Sequence, residues 1–257
     1  MEAVISLKDV SFTYPCGKRV LDGINLEVRP GEKLGIIGPA GAGKSTLMHH
    51  LNGLIRDRGH IRVCGLDLNR KNEPAVRSMV GIVFQNPDDQ LFCPTVYEDI
   101  AFGPLNQGFS PAEVEKKVSA VMRAMNLEAY RDLSSQHLSF GEKKKVALAT
   151  IMVMEPRVIG LDEPFANLDY GTIFHLVELI AAMPMTRIII SQEILLAFAV
   201  CERIAVMDRG RILRLGPAAE IAADHELLAS VGLDYRPFLA AVEPFYPGPA
   251  RAGKQPR

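Results

Sequence analysis

Apolar and polar positions alternate through the first thirty residues. Ile5, Leu7, Val10 and Phe12 form one series, and Val20 to Val28 form a second. A period near two predicts strands with one solvated face. Lys33 to Gly38 (KLGIIG) is a short, mostly apolar run, the pattern of a strand buried on both faces. A glycine-rich turn follows, then a helix-like run from Lys44 to Asn52. His60 to Val63 and Val80 to Phe84 predict two more strands.

The middle of the chain reads as helical. Ser110-Pro111-Ala112-Glu113 is a capping-box start with Pro at the first helical position, and it predicts a helix to about Asn126. Another helix should run from near Gly141 to Met154. Strand patterns return at Val158 to Leu161, Arg187 to Ile190 and Arg203 to Met207, with helices between them. Alternation of this kind predicts an α/β fold with a parallel sheet covered by helices. From Pro244 to Arg257 the chain carries four prolines, two glycines and three basic residues without an acidic one, which predicts a mobile tail.

Composition narrows the choice of function. The chain has 257 residues, 48% hydrophobic and 23% charged. A chain of this length buries roughly 75% of its unfolded surface and needs no staples. The 29 basic and 30 acidic residues balance, which argues against a general nucleic-acid binder. No run reaches the ~20 apolar residues of a membrane-spanning helix. The best candidate, Ile188 to Val200, is interrupted by Ser191, Gln192 and Glu193. The N-terminus lacks the basic, apolar and small-residue series of a secretory signal. Cys16, Cys64, Cys93 and Cys201 lie far apart without metal-ligand spacing, and read as reduced thiols of a cytoplasmic protein.

Gly38-Pro39-Ala40-Gly41-Ala42-Gly43-Lys44-Ser45 matches G-x-x-x-x-G-K-[ST] in full, between a buried strand and a helix. The glycines let the backbone turn its N–H groups inward toward phosphate oxygens at a helix N-terminus. Lys44 would supply a point charge to the β and γ phosphates, and the Ser45 hydroxyl would ligate Mg²⁺. Val158 to Leu161 is an apolar strand ending in Asp162 and Glu163. Two charges at the end of a buried strand need partners. Asp162 could hold Mg²⁺, and Glu163 could accept a proton from water attacking the γ phosphate.

Further motifs carry a family resemblance. Leu138-Ser139-Phe140-Gly141-Glu142 resembles the L-S-G-G-Q signature of ATP-binding-cassette ATPases. Leu161-Asp162-Glu163-Pro164 and Ala166-Asn167-Leu168-Asp169 resemble the same family's Walker B and D-loop. Tyr14 stands where these proteins stack an aromatic ring on adenine, and Gln85 matches the Q-loop glutamine. The resemblance runs from about Ile5 to about Glu220. It implies a RecA-like P-loop core over 1–84 and 155–243, with an antiparallel β layer and an inserted helical signature subdomain over 85–154. It also implies ATP contacts from Tyr14, from Gly38 through Thr46, and across a head-to-tail dimer from Ser139 and the Gly141 backbone. Mg²⁺ would be held by Ser45, Gln85 and Asp162.

A narrower resemblance lies in Phe84-Gln85-Asn86-Pro87-Asp88-Asp89-Gln90-Leu91-Phe92, Pro94-Thr95-Val96 and Asp99-Ile100-Ala101-Phe102-Gly103-Pro104. These segments are similar to energy-coupling-factor importers, which take up vitamins or transition-metal ions. The implied partners are a second ATPase subunit, a transmembrane coupling protein and a substrate-binding membrane subunit, at the cytoplasmic face of the membrane. In that family a groove after the Q-loop receives helices of the transmembrane partner. Asp88 and Asp89 would suit basic residues there. Cobalt or nickel leads as cargo, with biotin and other vitamins as alternatives, and homodimer and heterodimer both stay open.

Two positions depart from the family pattern. Phe140 replaces the signature's first glycine, at a cost of roughly 1–2 kcal/mol if that site requires positive φ. Gln192 replaces the usual switch histidine. A neutral Gln donates a hydrogen bond but cannot become a cation, which predicts slower hydrolysis. A slow nucleotide-gated switch is therefore the alternative of another class. Lys143, Lys144 and Lys145 read as a solvated face. Of His49 and His50, one should face the core and the other solvent.

Overall fold

The computed structural model describes residues 2–55 and 58–243. The predicted tail from Pro244 to Arg257 lies outside the described residues.

Four strands make an antiparallel layer: β1 (Ile5–Thr13), β2 (Arg19–Val28), β4 (Arg58–Val63) and β5 (Leu66–Asp67), in the order β2-β1-β4-β5. Six strands make the central sheet. These are β3 (Lys33–Ile37), β6 (Val80–Val83), β7 (Val158–Asp162), β8 (Thr186–Ile190), β9 (Arg203–Asp208) and β10 (Arg211–Pro217), in the order β10-β9-β3-β8-β7-β6. All neighbours in it pair in parallel except β10, which runs antiparallel to β9 at the edge.

Apolar runs in β3, β7 and β8 are explained by burial on both faces. Leu34, Ile36, Val158, Ile188 and Ile190 face a core shared with the antiparallel layer and α1 (Lys44–Leu51). Ile37, Ile159, Leu161 and Ile189 face the opposite core. Helices cover that second face. They include α3 (Val96–Asn106), α4 (Pro111–Ala124), α5 (Phe140–Met152), α6 (Tyr170–Ala182) and α7 (Ile194–Val200). The remaining helices are α2 (Glu73–Met79), between β5 and β6, and α8 (Ala218–Ala223), α9 (His225–Ser230) and α10 (Arg236–Val242), which close the described chain.

Local chemistry sets the helix ends that matter for the site. Ser110 and Glu113 form the predicted capping box of α4, and Thr95 with Glu98 does the same for α3. Ser139 and Glu142 form a third at the start of α5. Buried Arg187 on β8 donates to the Ala181 carbonyl at 3.0 Å, tying the last turn of α6 to the sheet.

The expected elements are found with shifts of a residue or two at their ends. The expectation for Phe140 is corrected. It is the first residue of α5 and does not have positive φ, so the backbone strain that it would carry is absent. Lys144 is also corrected. It is 5% exposed and forms part of the interior rather than of a solvated face. His50 is fully buried and bonded to the Thr46 carbonyl, whereas His49 is partly exposed and packs edge-on against Phe84.

Candidate nucleotide site

The loop after β3 runs straight into α1, whose N-cap is Gly43 at φ 102°. A Cβ there would lie 2.7 Å from the Val20 carbonyl oxygen, so only glycine fits without movement. Glycine at this point brings the loop against β2 and leaves its other side open. That side forms a cleft of about 300 Å³ lined by Tyr14, Lys18, Val20, Ala40 to Thr46, Gln85, Glu163 and Gln192. Gly38 and Pro39 do not line it, and their carbonyls accept hydrogen bonds from Lys44 Nζ at 2.7 and 3.0 Å. Burial pushes the Lys44 pKa down, against the pull of the Glu163 and Asp162 carboxylates.

Tyr14 follows β1 at the mouth of the cleft. Its ring meets Phe12 edge-to-face, and its hydroxyl lies 3.3 Å from Thr46 Oγ1. The residue is 38% exposed, which leaves it open to a flat ligand, while the hydroxyl ties it to α1.

The carboxylates sit at the C-terminal end of β7. Asp162 is 5% exposed and Glu163 is 4% exposed. Burial raises both pKa values. A bond from the Ser45 hydroxyl opposes the shift at Asp162, and bonding from Gln192 opposes it at Glu163. The Gln192 N–H donates to Glu163 Oε2 at 2.9 Å. Asp162 Oδ1 and Glu163 Oε1 are buried without a hydrogen-bond partner among the described residues. Buried anionic oxygens left over in this way call for a cation, a water or a substrate proton. Ser45, Gln85 and Asp162 offer only oxygen donors, the hard set that suits Mg²⁺. Among the described residues no three His, Cys, Asp or Glu side chains converge as a metal cage, which an ion completed by phosphate oxygens would not require.

Ser139 and Gly141 do not line this cleft. Ser139 is exposed and caps α5, with its hydroxyl donating to Glu142 Oε2 at 2.7 Å. Tyr130 donates to the other Glu142 oxygen at 2.6 Å, so Glu142 is fixed on two sides. The signature therefore points to a surface apart from its own chain's phosphate loop. Asp88 is paired to Lys143 of the same chain at 2.7 Å and its side chain stays 57% exposed.

Four contributors were given no role at the site by the sequence. Lys18 and Val20 line the cleft and carry no motif. Gln90 accepts from the Phe84 N–H at 3.1 Å and donates to the Ala147 carbonyl and Thr150 Oγ1, both at 2.7 Å, joining the Gln85 loop to α5. Lys144 reaches from α5 to the Walker B turn. Its signal was readable: Phe140, Lys144, Ala147, Leu148 and Ile151 fall on one helical stripe, and the apolar members of that stripe mark it as inward.

Similarity to known proteins agrees with this geometry. The sequence pattern of the ABC transporter family matches residues 21–166. The energy-coupling factor transporter ATP-binding protein EcfA of Methanocaldococcus jannaschii is 42% identical over 236 residues, spanning 90% of this chain and 85% of that protein. The solved structure of cbiO1 from Clostridium perfringens, described as part of the ABC transporter complex cbiONQ, superposes with a TM-score of 0.80 at 33% identity, covering 95% of this chain and all of that one. An ATP-binding cassette solved as a dimer in a post-hydrolysis state, with ADP and phosphate bound, gives 0.75 at 25% identity, over 83% of this chain and 98% of that one. No helix among the described residues is long and apolar enough to cross a membrane. The chain belongs to the ABC transporter family, as an ATP-binding ATPase of the energy-coupling-factor type.

Proposed function

We propose that this chain hydrolyses ATP at the cytoplasmic face of a membrane to power import of a transition-metal ion, cobalt or nickel, through membrane partners. The observation that carries the ATPase part is the pair of buried carboxylates, each with one unpartnered oxygen, facing the lysine of a complete phosphate loop.

The steps follow from the residues present. The N–H groups of Gly41 to Ser45 and the Lys44 ammonium bind the β and γ phosphates. Gly38 and Pro39 hold the ammonium until phosphate oxygens take over. Tyr14 stacks on adenine. Ser45, Asp162 and Gln85 hold Mg²⁺, which when bound neutralises charge on the phosphate oxygens. Glu163 Oε1 accepts a proton from the attacking water, while the Gln192 N–H holds Oε2 in place. Ser139 and Gly141 of a second ATPase subunit complete the γ-phosphate site, so nucleotide closes the dimer and hydrolysis releases it. Segment 85–154 moves against the core through Gln85.

A groove of about 310 Å³ supports the partner assignment. Cys93, Pro94, Tyr97, Ala101, Phe102 and Leu105 are among its lining residues. Phe92 and Phe102 stack edge-to-face beside it and are 66% and 48% exposed. Large apolar side chains left in water at one place suit a partner's helix. The metal cargo rests on the importer-like segments that follow Gln85.

Co-expression of the chain with its membrane partners, reconstitution in vesicles and ATP-driven uptake of labelled cobalt or nickel beside labelled biotin would test this. Metal-ion uptake abolished by Glu163→Gln is expected. Uptake of biotin alone would overturn the cargo and leave the ATPase reading standing.

A further inference from the structure

Lys144 is a charged side chain in the interior. Its Nζ donates to the Glu163 carbonyl at 2.6 Å and to the Pro164 carbonyl at 3.2 Å. The Phe140 ring covers the same ammonium, with 5.5 Å from Nζ to the ring centroid. That distance is a cation–π contact, and the ring excludes water from a buried charge. Burial is also what lowers the Lys144 pKa to about 8, against the nearby Glu163 and Asp162 carboxylates. An ammonium is costly to bury, and a solvated one would serve α5 equally well. Its position therefore needs a reason.

Glu163 supplies it. This residue has φ of 47°, in the left-handed region that a non-glycine residue holds only when its surroundings impose it. Four contacts hold it, one of them from the Ala166 N–H to the Glu163 carbonyl at 3.3 Å. The Glu163 N–H donates to the Ile190 carbonyl at 3.0 Å, Oε2 accepts from Gln192, and the carbonyl accepts from Lys144. The bonds from Ile190 and Gln192 come from β8 and the residues just after it, and that from Ala166 comes from the turn that Glu163 itself begins. Only Lys144 comes from the helix that begins with the signature. Its ammonium holds the peptide that follows Glu163, and so the backbone from which the carboxylate projects.

We propose that Lys144, shielded by Phe140, is a positioning residue for hydrolysis. It holds the strained Glu163 backbone so that the carboxylate faces the phosphate loop, and it makes the orientation of the base depend on the placement of α5. Phe140 is then not a defect of the signature but the cover that keeps this ammonium dry. The proposal rests on Glu163 acting as the base.

The test uses the full chain and compares wild type with Lys144→Met, Lys144→Arg and Glu163→Gln, measuring kcat and KM for ATP and melting temperature. Lys144→Met keeps the length and loses the donor. Its kcat is expected to fall about 10- to 100-fold, as small misplacements of a reacting group do. KM should stay within about twofold, because the phosphate contacts are untouched. Lys144→Arg, which keeps charged donors, should recover part of the loss. Should Lys144→Met fail to fold, Lys144→Gln, with a shorter neutral donor, should give an intermediate kcat at wild-type KM. Wild-type kcat in the Met variant would overturn the proposal, and so would a joint loss of kcat, ATP affinity and melting temperature, the mark of a purely structural lysine. Unchanged turnover in Glu163→Gln would instead overturn the reading of Glu163 as base.

Discussion

Gln192 stands 2.9 Å from the base through its backbone, at the end of a strand whose three isoleucines are fully buried. Its side chain faces the cleft as a neutral amide. A cation at this point would strengthen one hydrogen bond to developing phosphate charge by about 1 kcal/mol. Gln192→His should therefore raise turnover by about fivefold. An unchanged rate with ATP binding intact would sink the idea. Gly43 makes a second residue-scale prediction. Its φ of 102° and the nearby Val20 oxygen mean that Gly43→Ala is strained and crowded. A strain of about 1–2 kcal/mol should weaken ATP binding by about five- to thirtyfold, read by titration. Wild-type affinity would show that the loop has an alternative conformation at no cost. Glu163 adds the lesson that motif and strain coincide: the candidate base is one of few non-glycine residues with positive φ.

Polar ties add to the apolar faces that pack the helices. Glu115 on α4 accepts from Arg131 at 2.7 Å and from Ser119 at 2.8 Å, and Arg131 stacks over the Tyr97 ring of α3 at 4.1 Å. These bonds, with Arg131 first among them, hold the Glu115 carboxyl down at about 2 from its ordinary 4.5. A depressed carboxyl pKa gives stability that is present above 4.5 and lost as pH falls toward 2. Wild type should therefore melt above Glu115→Gln at neutral pH, and the gap should close through that acid window. A gap that is constant with pH would contradict the pairing. Elements also show where pattern reading stops. The helix α3 contains Gly103 and Pro104, which propensity assigns to a loop. Packing overrides propensity there, because a Cβ on Gly103 would lie 2.5 Å from Met154 Sδ. The edge strand β10 carries two arginines in seven residues and takes its register from β9.

At the scale of the whole molecule, the parts of the site that were legible are local in sequence. The phosphate loop sits at one strand-to-helix junction, and Asp162 and Glu163 end another strand, so period and motif suffice to find them. The parts that were not legible cross between layers. Lys144 looked like one member of a solvated lysine run, yet it lies inside because α5 packs its stripe against the β7 end. The pairing of Asp88 with Lys143, 55 residues further along the chain, was equally invisible. Charge runs say little about burial until the neighbouring layer is known. The two cores sharing one sheet are what allow a helix from the signature and a loop from β3 to meet at the same pair of carboxylates.

The central claim is that this cleft hydrolyses ATP with Mg²⁺ held by Ser45, Gln85 and Asp162 and with Glu163 as base. The most direct measurement is ATP turnover by the purified chain with and without Mg²⁺, beside Glu163→Gln. The account predicts turnover that requires Mg²⁺ and falls by about 10²-fold or more in the mutant, with ATP binding retained. Turnover that survives Glu163→Gln, or that is indifferent to Mg²⁺, would contradict it.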